Sequence, residues 1–380
     1  MKILQVTPSF HPATYWGGSI HAVFGLANAL AARPGIELRV LTTDSAGPAL
    51  ADRVERDAFP ARYEDGYDVY MCRRRAGTAV APAMLAWLWR LARWADVVHL
   101  TAVYSFPTLP TLAACRALGK PLVWSPHGTL QRWQGSRHAA AKRHWERLCN
   151  AIVPARSTVL HFNSAQELEQ SRGRLASRGC TLIPHGIDVP PACEDRSGRA
   201  GRLRLLFLGR LDPIKGADVL LRAAARLDPG SFELRICGRG DALYSRQLAR
   251  LAEELGVGAS VTFTGEVVGE RKEEMLRWAD LLVMPSHRES FGIVVLEALS
   301  RGVPVLASRH APWSALEAVG CGASVDPAPE ALASAIRSIR AADLPAMGER
   351  GRRWVAREFS WSSIADRMAA VYRELLPDAR

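Results

Sequence analysis

Residues 281–307 read LLVMPSHRESFGIVVLEALSRGVPVLA. An apolar run (281–284) enters a polar loop, a helical pattern fills 292–301, and a second apolar run occupies 303–307. Apolar runs without polar alternation are what strands buried on both faces require. The segment therefore reads as strand, crossover helix and parallel strand. Working outward, further strands fit at 203–208 (LRLLFL), 232–237 (FELRIC) and 260–263 (SVTF), with helices at 216–227, 241–255, 270–278 and 329–340. The N-terminal half repeats the scheme, with strands at 2–7, 37–42, 97–101, 121–125, 158–163 and 180–183 and helices at 19–32 and 107–118. Such alternation predicts an α/β fold with doubly wound sheets, and two series predict two Rossmann-like domains. The stretch 184–202, PHGIDVPPACEDRSGRAGR, has prolines, glycines and charge but no apolar period, so the boundary falls there. The predicted domains are 1–185 and 186–359, followed by an amphipathic helix within 360–376.

Composition is consistent with this division. A chain of 380 residues suits two domains, and 48% hydrophobic with 23% charged residues is a globular balance. The 7 cysteines are scattered, without CxxC pairs or His/Cys clusters, which argues against a disulfide framework or zinc module and for a reducing, cytoplasmic setting. The N-terminus predicts no secretory leader, and the longest apolar stretch, 79–89, is too short to span a bilayer. Net charge is +11; residues 1–189 hold 22 basic against 13 acidic side chains, and residues 190–380 hold 27 against 25. The stretch 69–156 carries 13 basic residues against Asp96 and Glu146. That asymmetry fits an anionic partner. With only five lysines (2, 120, 142, 215, 272) among 49 basic residues, compositional bias toward arginine competes as the explanation.

Three loops carry candidate chemistry. After the first strand, Gly17-Gly18 precede a helix, where a close backbone approach and unpaired N–H groups favour an anion; plain turn chemistry is the competing reading. After 203–208, Arg210 and Lys215 flank an Asp-Pro turn, a fork and a point charge able to converge on a diphosphate. After 281–284 come Glu289, then Ser290-Phe291-Gly292 at a helix entry, then Glu297 on an otherwise apolar helix. A carboxylate there requires a partner or a ligand hydroxyl. His127 ends a buried strand in SPHGTL, and the segment 261–267 ending at Val267 offers backbone groups to a nucleobase. No DxD motif occurs.

Taken together, these residues resemble family 4 glycosyltransferases of the GT-B fold, nucleotide-sugar-dependent enzymes that retain anomeric configuration. The resemblance spans nearly the whole chain and is most specific at Gly209-Arg210…Lys215-Gly216 and Glu289-x7-Glu297. It implies two Rossmann-like domains across a cleft, with the C-terminal helix returning to the N-terminal domain. It implies that Arg210 and Lys215 hold the donor diphosphate, Glu297 the ribose, and Glu289 the sugar hydroxyls. The backbone at Ser290, Phe291, Gly292 and Ile293 meets sugar or phosphate, Gly17 and Gly18 approach the diphosphate, His127 lies near the sugar, and Val267 neighbours the base. Glu289, His127, Arg210 and Lys215 are the expected catalytic set. One departure stands out: where many relatives have Gly-Gly-x-x-Glu, this chain has Pro312-Trp313 with Glu317 beyond.

The implied reaction moves a hexose from a UDP- or GDP-sugar to a glycan or lipid-linked acceptor in cell-surface glycan assembly. It needs no metal or other cofactor. Arg132, Trp133, Arg137, Lys142, Arg143 and Arg147, with Trp145, suggest an acceptor or anionic membrane surface and peripheral attachment to the inner membrane face; no nucleic-acid partner is expected. The rivals are a nucleotide-sugar epimerase of the same fold and a non-catalytic basic protein binding membrane or nucleic acid.

Overall fold

The computed structural model describes residues 1–13, 15–55, 58–63, 65–131, 138–191 and 201–376. Unit 1 comprises Met1–Gly186 and the segment from Trp361 onward; unit 2 is Ile187–Ser360.

Unit 1 runs β1 (Lys2–Val6), α1 (Gly18–Ala31), β2 (Glu37–Thr43), β3 (Ala61–Arg62), β4 (Asp68–Cys72), α2 (Ala83–Trp94), β5 (Val97–Thr101), α3 (Thr108–Leu118), β6 (Leu122–Ser125), α4 (Ala139–Ile152), β7 (Thr158–Phe162), α5 (Ala165–Ser171) and β8 (Gly179–Leu182). The strand order is β3-β4-β2-β1-β5-β6-β7-β8, parallel except for the β3–β4 pairing. Unit 2 runs β9 (Leu203–Leu208), α6 (Ala217–Ala224), β10 (Phe232–Cys237), α7 (Ala242–Glu254), β11 (Val261–Gly265), α8 (Glu270–Trp278), β12 (Leu281–Met284), α9 (Ile293–Ser300), β13 (Val305–Ser308), α10 (Ala315–Val319), β14 (Gly322–Val325), α11 (Pro329–Arg340) and α12 (Leu344–Glu358). Its parallel sheet has the order β11-β10-β9-β12-β13-β14. The last helix, α13 (Trp361–Leu375), returns to unit 1.

Both sheets place their first strand centrally. Succeeding strands build outward on one side and then jump across, leaving a switch point between β1 and β5 in unit 1 and between β9 and β12 in unit 2. At a switch point the loops leaving adjacent strand ends diverge to opposite faces and open a crevice at the carboxyl edge. The candidate loops after β1, β9 and β12 all lie beside these points.

The helix α13 explains its own amphipathic pattern. Ile364, Ala365, Met368, Ala369, Tyr372 and Leu375 are buried with Val23, Leu26, Ala27 and Leu30 of α1. Each large apolar side chain so buried contributes roughly 1.5–3 kcal/mol. Trp361 sits against Gly25 and Gly186, and Arg33 bonds the Ser362 carbonyl and hydroxyl, fastening the start of α13.

Candidate functional site

In unit 2 the site is made by loops after adjacent strands. After β9, Asp212 caps a single 3₁₀ turn (Pro213–Lys215) by accepting from the Ile214 N–H at 3.0 Å, and the turn lifts Lys215 toward the loop after β12. Its Nζ donates to Glu289 Oε2 at 2.5 Å, and the pair is largely buried, with side-chain exposures of 20% and 11%. The loops are also tied through backbone, His287 N–H donating to Ile214 O at 2.8 Å. Gly216 is required by this approach. Its φ is +71, and a Cβ there would stand 2.3 Å from the Pro285 carbonyl oxygen. A third loop joins after β10, where Leu211 N–H donates to Arg239 O at 2.9 Å and Gly209 N–H to Cys237 O at 3.0 Å. Arg210, on the same loop, is exposed.

Glu289 leads into Ser290, the buried Phe291, Gly292 and then Ile293, the first residue of α9. Gly292 caps α9 without a side-chain bond, so the first N–H groups of the helix have no capping side chain. Glu297 occupies the apolar helix face as read from sequence, but its carboxylate is paired: Lys272 Nζ donates to Oε1 at 2.6 Å. Two of the chain's five lysines thus hold the two glutamates. Val267 is buried, its side chain in the core beside Leu206 and Cys237.

The departure at Pro312-Trp313 has a physical role. Trp313 is 2% exposed and its indole N–H donates to the Phe291 carbonyl. The Phe291 and Trp313 rings meet edge to face at 5.2 Å, with Trp354 and Phe359 behind. An aromatic brace therefore stands under the Ser290–Gly292 loop.

Unit 1 assembles differently. Gly17, the glycine cap of α1, and Gly18, its first residue, follow β1 at the switch point. His127 follows β6 at a left-handed φ of +48, a strained position for a non-glycine residue. Glu167 holds that turn, accepting from Gly128 N–H at 2.5 Å and from Asn163 N–H at 2.9 Å. Glu167 was missed in the sequence, although Ser164-x-x-Glu167 is a capping-box spacing, and Glu167 N–H does donate to Ser164 Oγ. The His127 ring stacks on His185 at 5.3 Å, and burial drives its pKa down to about 3. At neutral pH it is an uncharged imidazole.

Beneath His127 runs a chain whose direction follows from its end. The Ile183 carbonyl only accepts, so His161 Nε2 donates to it at 2.7 Å. His161 Nδ1 then accepts from Ser125 Oγ, Ser125 Oγ accepts from His99 Nε2, and His99 Nδ1 accepts from the Tyr372 hydroxyl, each at 2.6 Å.

Of the predicted acceptor or membrane residues, Arg132, Trp133 and Arg137 lie outside the described residues. Arg143 and Arg147 are exposed on α4, whereas Lys142 is half-buried over the Tyr104 ring at 5.2 Å. Trp145 corrects the expectation of an interfacial aromatic: it turns inward and its indole donates to Val103 O at 2.8 Å. Exposed apolar side chains on unit 1 include Leu85 and Trp89, one turn apart on α2, and Leu148 on α4.

Comparison with known proteins bears on both units. The model of the family described as Glycosyltransferase Family 4 matches residues 16–190, and that of Glycosyl transferases group 1 matches residues 195–354. The D-inositol 3-phosphate glycosyltransferase of Streptomyces avermitilis is 31% identical over 383 residues, which is 92% of this chain and 78% of that protein. That of Acidothermus cellulolyticus is 29% identical over 372 residues, covering 91% and 78%. In fold, the crystal structure of Anabaena HepE in complex with UDP has a TM-score of 0.78 at 19% identity, covering 98% of this chain and all of that one. The sucrose-phosphate synthase of Thermosynechococcus elongatus has a TM-score of 0.74 at 23% identity, covering 98% of each.

Proposed function

The chain belongs to the group 1 and family 4 glycosyltransferases, and on that premise we propose that it moves a hexose from a UDP- or GDP-sugar to an acceptor hydroxyl with retention at the anomeric carbon. The observation that carries the proposal is Lys215, an ammonium held by Glu289 where the loops after β9 and β12 meet, with Arg210 on the same loop.

The bond from the anomeric carbon to the donor phosphate oxygen breaks, leaving negative charge on the diphosphate. Arg210 and Lys215 would stabilise that charge, and fixed charge of this kind is among the largest catalytic contributions. Lys215 has three N–H donors, so one bond to Glu289 leaves donors for phosphate oxygens. Glu297, with Oε1 held by Lys272, would accept from ribose hydroxyls through its other oxygen. Glu289, tied to a cation, is a poor nucleophile. We therefore favour attack by the acceptor oxygen from the face the diphosphate leaves, its proton passing to the departing phosphate oxygen. No metal is invoked. His127, uncharged, would hydrogen-bond the sugar.

For the acceptor we infer a glycan or lipid-linked hydroxyl of cell-surface glycan synthesis. The names of the relatives, D-inositol 3-phosphate glycosyltransferases, support a second reading, a phosphorylated polyol. UDP bound by Anabaena HepE supports a uridine donor. Peripheral attachment to an anionic membrane is supported by the outward face of α2, where exposed Leu85 and Trp89 have Arg90 and Arg93 beside them and exposed Phe59 stands 5.2 Å from Trp87.

The test is a thermal-shift panel of nucleoside diphosphates and their sugars. A ligand of the native state at a hundred times its Kd adds about 2.7 kcal/mol. A rise of several degrees with UDP or GDP is expected, followed by nucleoside diphosphate release on adding acceptor. Absence of any rise at millimolar UDP and GDP would overturn the donor assignment.

A further inference from the structure

Between α4 and the chain leaving α5 lies a cavity of about 320 Å³ on unit 1. Its floor is fixed. Glu146 and Arg174 form an ion pair with exposures of only 8% and 9%, and Arg174 also donates to the Tyr104 hydroxyl at 3.0 Å. The wall is fastened too: Asn150 donates to Arg174 O at 2.9 Å and accepts from Ala176 N–H at 2.8 Å, clamping residues 174–176 onto α4. On this scaffold stand Arg143 and Arg147, one turn apart on α4, and Arg172 across from them, all three exposed.

The charge is unbalanced. Arg174 and Glu146 cancel, leaving three guanidinium groups facing one space with Gln170 as the further polar wall. Like charges at i and i+4 oppose each other, and the third cation adds to that. Among the described residues Arg143 and Arg147 have no carboxylate partner, and Arg172 has none either. Compositional bias accounts for many arginines, but it gives no reason for three to line one open pocket whose one lining acid, Glu146, is already neutralised.

We propose that this cavity binds a phosphate monoester or diphosphate group through Arg143, Arg147 and Arg172. Guanidinium forks match phosphate oxygens in pairs, and three forks from two elements surround a dianion. The site lies wholly within unit 1 and goes beyond the donor reading, since it requires no sugar transfer. The phosphate belongs either to a soluble ligand or to a lipid headgroup.

Inorganic pyrophosphate is the probe for the first source, with hydrogen exchange as the local readout. Added to the full chain, it protects amides of 143–150 and 170–176. That protection persists in Lys215→Ala, where the donor site is weakened, and falls at least tenfold in apparent affinity in Arg143→Gln/Arg172→Gln. The double variant keeps its UDP-induced thermal shift. For the second source, vesicles containing phosphatidic acid are compared with vesicles of equal charge made with phosphatidylglycerol. Selective sedimentation with phosphatidic acid that the double variant loses assigns the phosphate to a lipid, whereas pyrophosphate protection without that selectivity assigns it to a soluble ligand. If neither probe distinguishes wild type from the double variant, the site is refuted, whatever the fate of the donor assignment.

Discussion

The two units share one architecture and manage polarity in opposite ways. Unit 1 places it inside the sheet: His99 in β5, Ser125 in β6 and His161 in β7 are buried strand residues joined by hydrogen bonds running from Tyr372 to the Ile183 carbonyl. Unit 2 leaves the strands at its switch point essentially apolar, β12 being LLVM, and keeps its ionic pairs beyond or beside the strand ends. Buried imidazoles stay neutral because burial penalises the cation. The half-buried lysine–glutamate pairs set opposite charges side by side, so each compensates the other. The first arrangement suits a scaffold, and the second suits the diphosphate site proposed for unit 2.

Acid should break that comparison most severely. Burial holds His99 and His185 well below their ordinary value, His127 down to about 3 and His161 down to about 4. In the unfolded chain they protonate near 6.5, so between 6.5 and the folded values the unfolded state binds more protons and stability is lost as the pH is lowered. Each imidazole that remains neutral removes roughly 2 kcal/mol by pH 5. Glu167, raised by burial, acts in the opposite direction, and Arg367 facing His161 reinforces the histidine effect. Hydrogen exchange, corrected for intrinsic rates, should show β5, β6 and β7 losing protection between pH 7 and 5 while β12 and β13 keep theirs. Equal loss in both units would dissolve the contrast.

The charged side of the comparison is sharpened by Lys215→Ala. Removing one fixed donor from a developing anion costs about 10²–10³ in rate. That fall is expected in kcat/KM, with melting lowered by only a few degrees through the unpaired Glu289. Lys215→Arg, which keeps the charge, should lose less. Near-normal turnover in the alanine variant would remove Lys215 from the mechanism.

Both arrangements were partly legible beforehand. Short unbroken apolar runs bounded by turn residues revealed the central strands, because a strand covered on both faces needs apolar side chains at successive positions. Two outer strands escaped this reading: β4 (DVYMC) opens on a charge, and β14 (GASV) is small and half-exposed, whereas the edge strands β8 and β11 were read at 180–183 and 260–263. The helix α12 was hidden by Pro345, Gly348 and Gly351, which look like breakers; a Cβ at Gly348 would stand 1.9 Å from the Gly302 carbonyl oxygen, so this glycine serves close packing near α9. At the site, Glu297 stood out as a charge on an apolar helix, Lys215 as a rare lysine beside an Asp-Pro turn, and Glu289 by its place in the loop ahead of Ser290-Phe291-Gly292. The partner Lys272 did not, because its pairing depends on how α8 and α9 lie together, which no local pattern encodes.

The finest distinction concerns how unit 2 holds its loop. If the Ser290–Gly292 backbone meets the donor, its position depends on Trp313, whose indole fixes the Phe291 carbonyl. Trp313→Phe keeps an aromatic ring beside Phe291, Trp354 and Phe359 but removes the N–H that donates to the Phe291 carbonyl. Losing one such hydrogen bond costs about 0.5–1.5 kcal/mol, and the loop recovers part of that by moving. Donor KM should therefore rise about tenfold with kcat changed less than threefold, because the group carrying leaving-group charge is untouched. Trp313→Ala would lower stability as well by emptying the brace, so the phenylalanine variant separates positioning from packing. A Trp313→Phe enzyme with unchanged donor KM would mean that the brace supports the fold alone and that the loop finds its place without the indole bond.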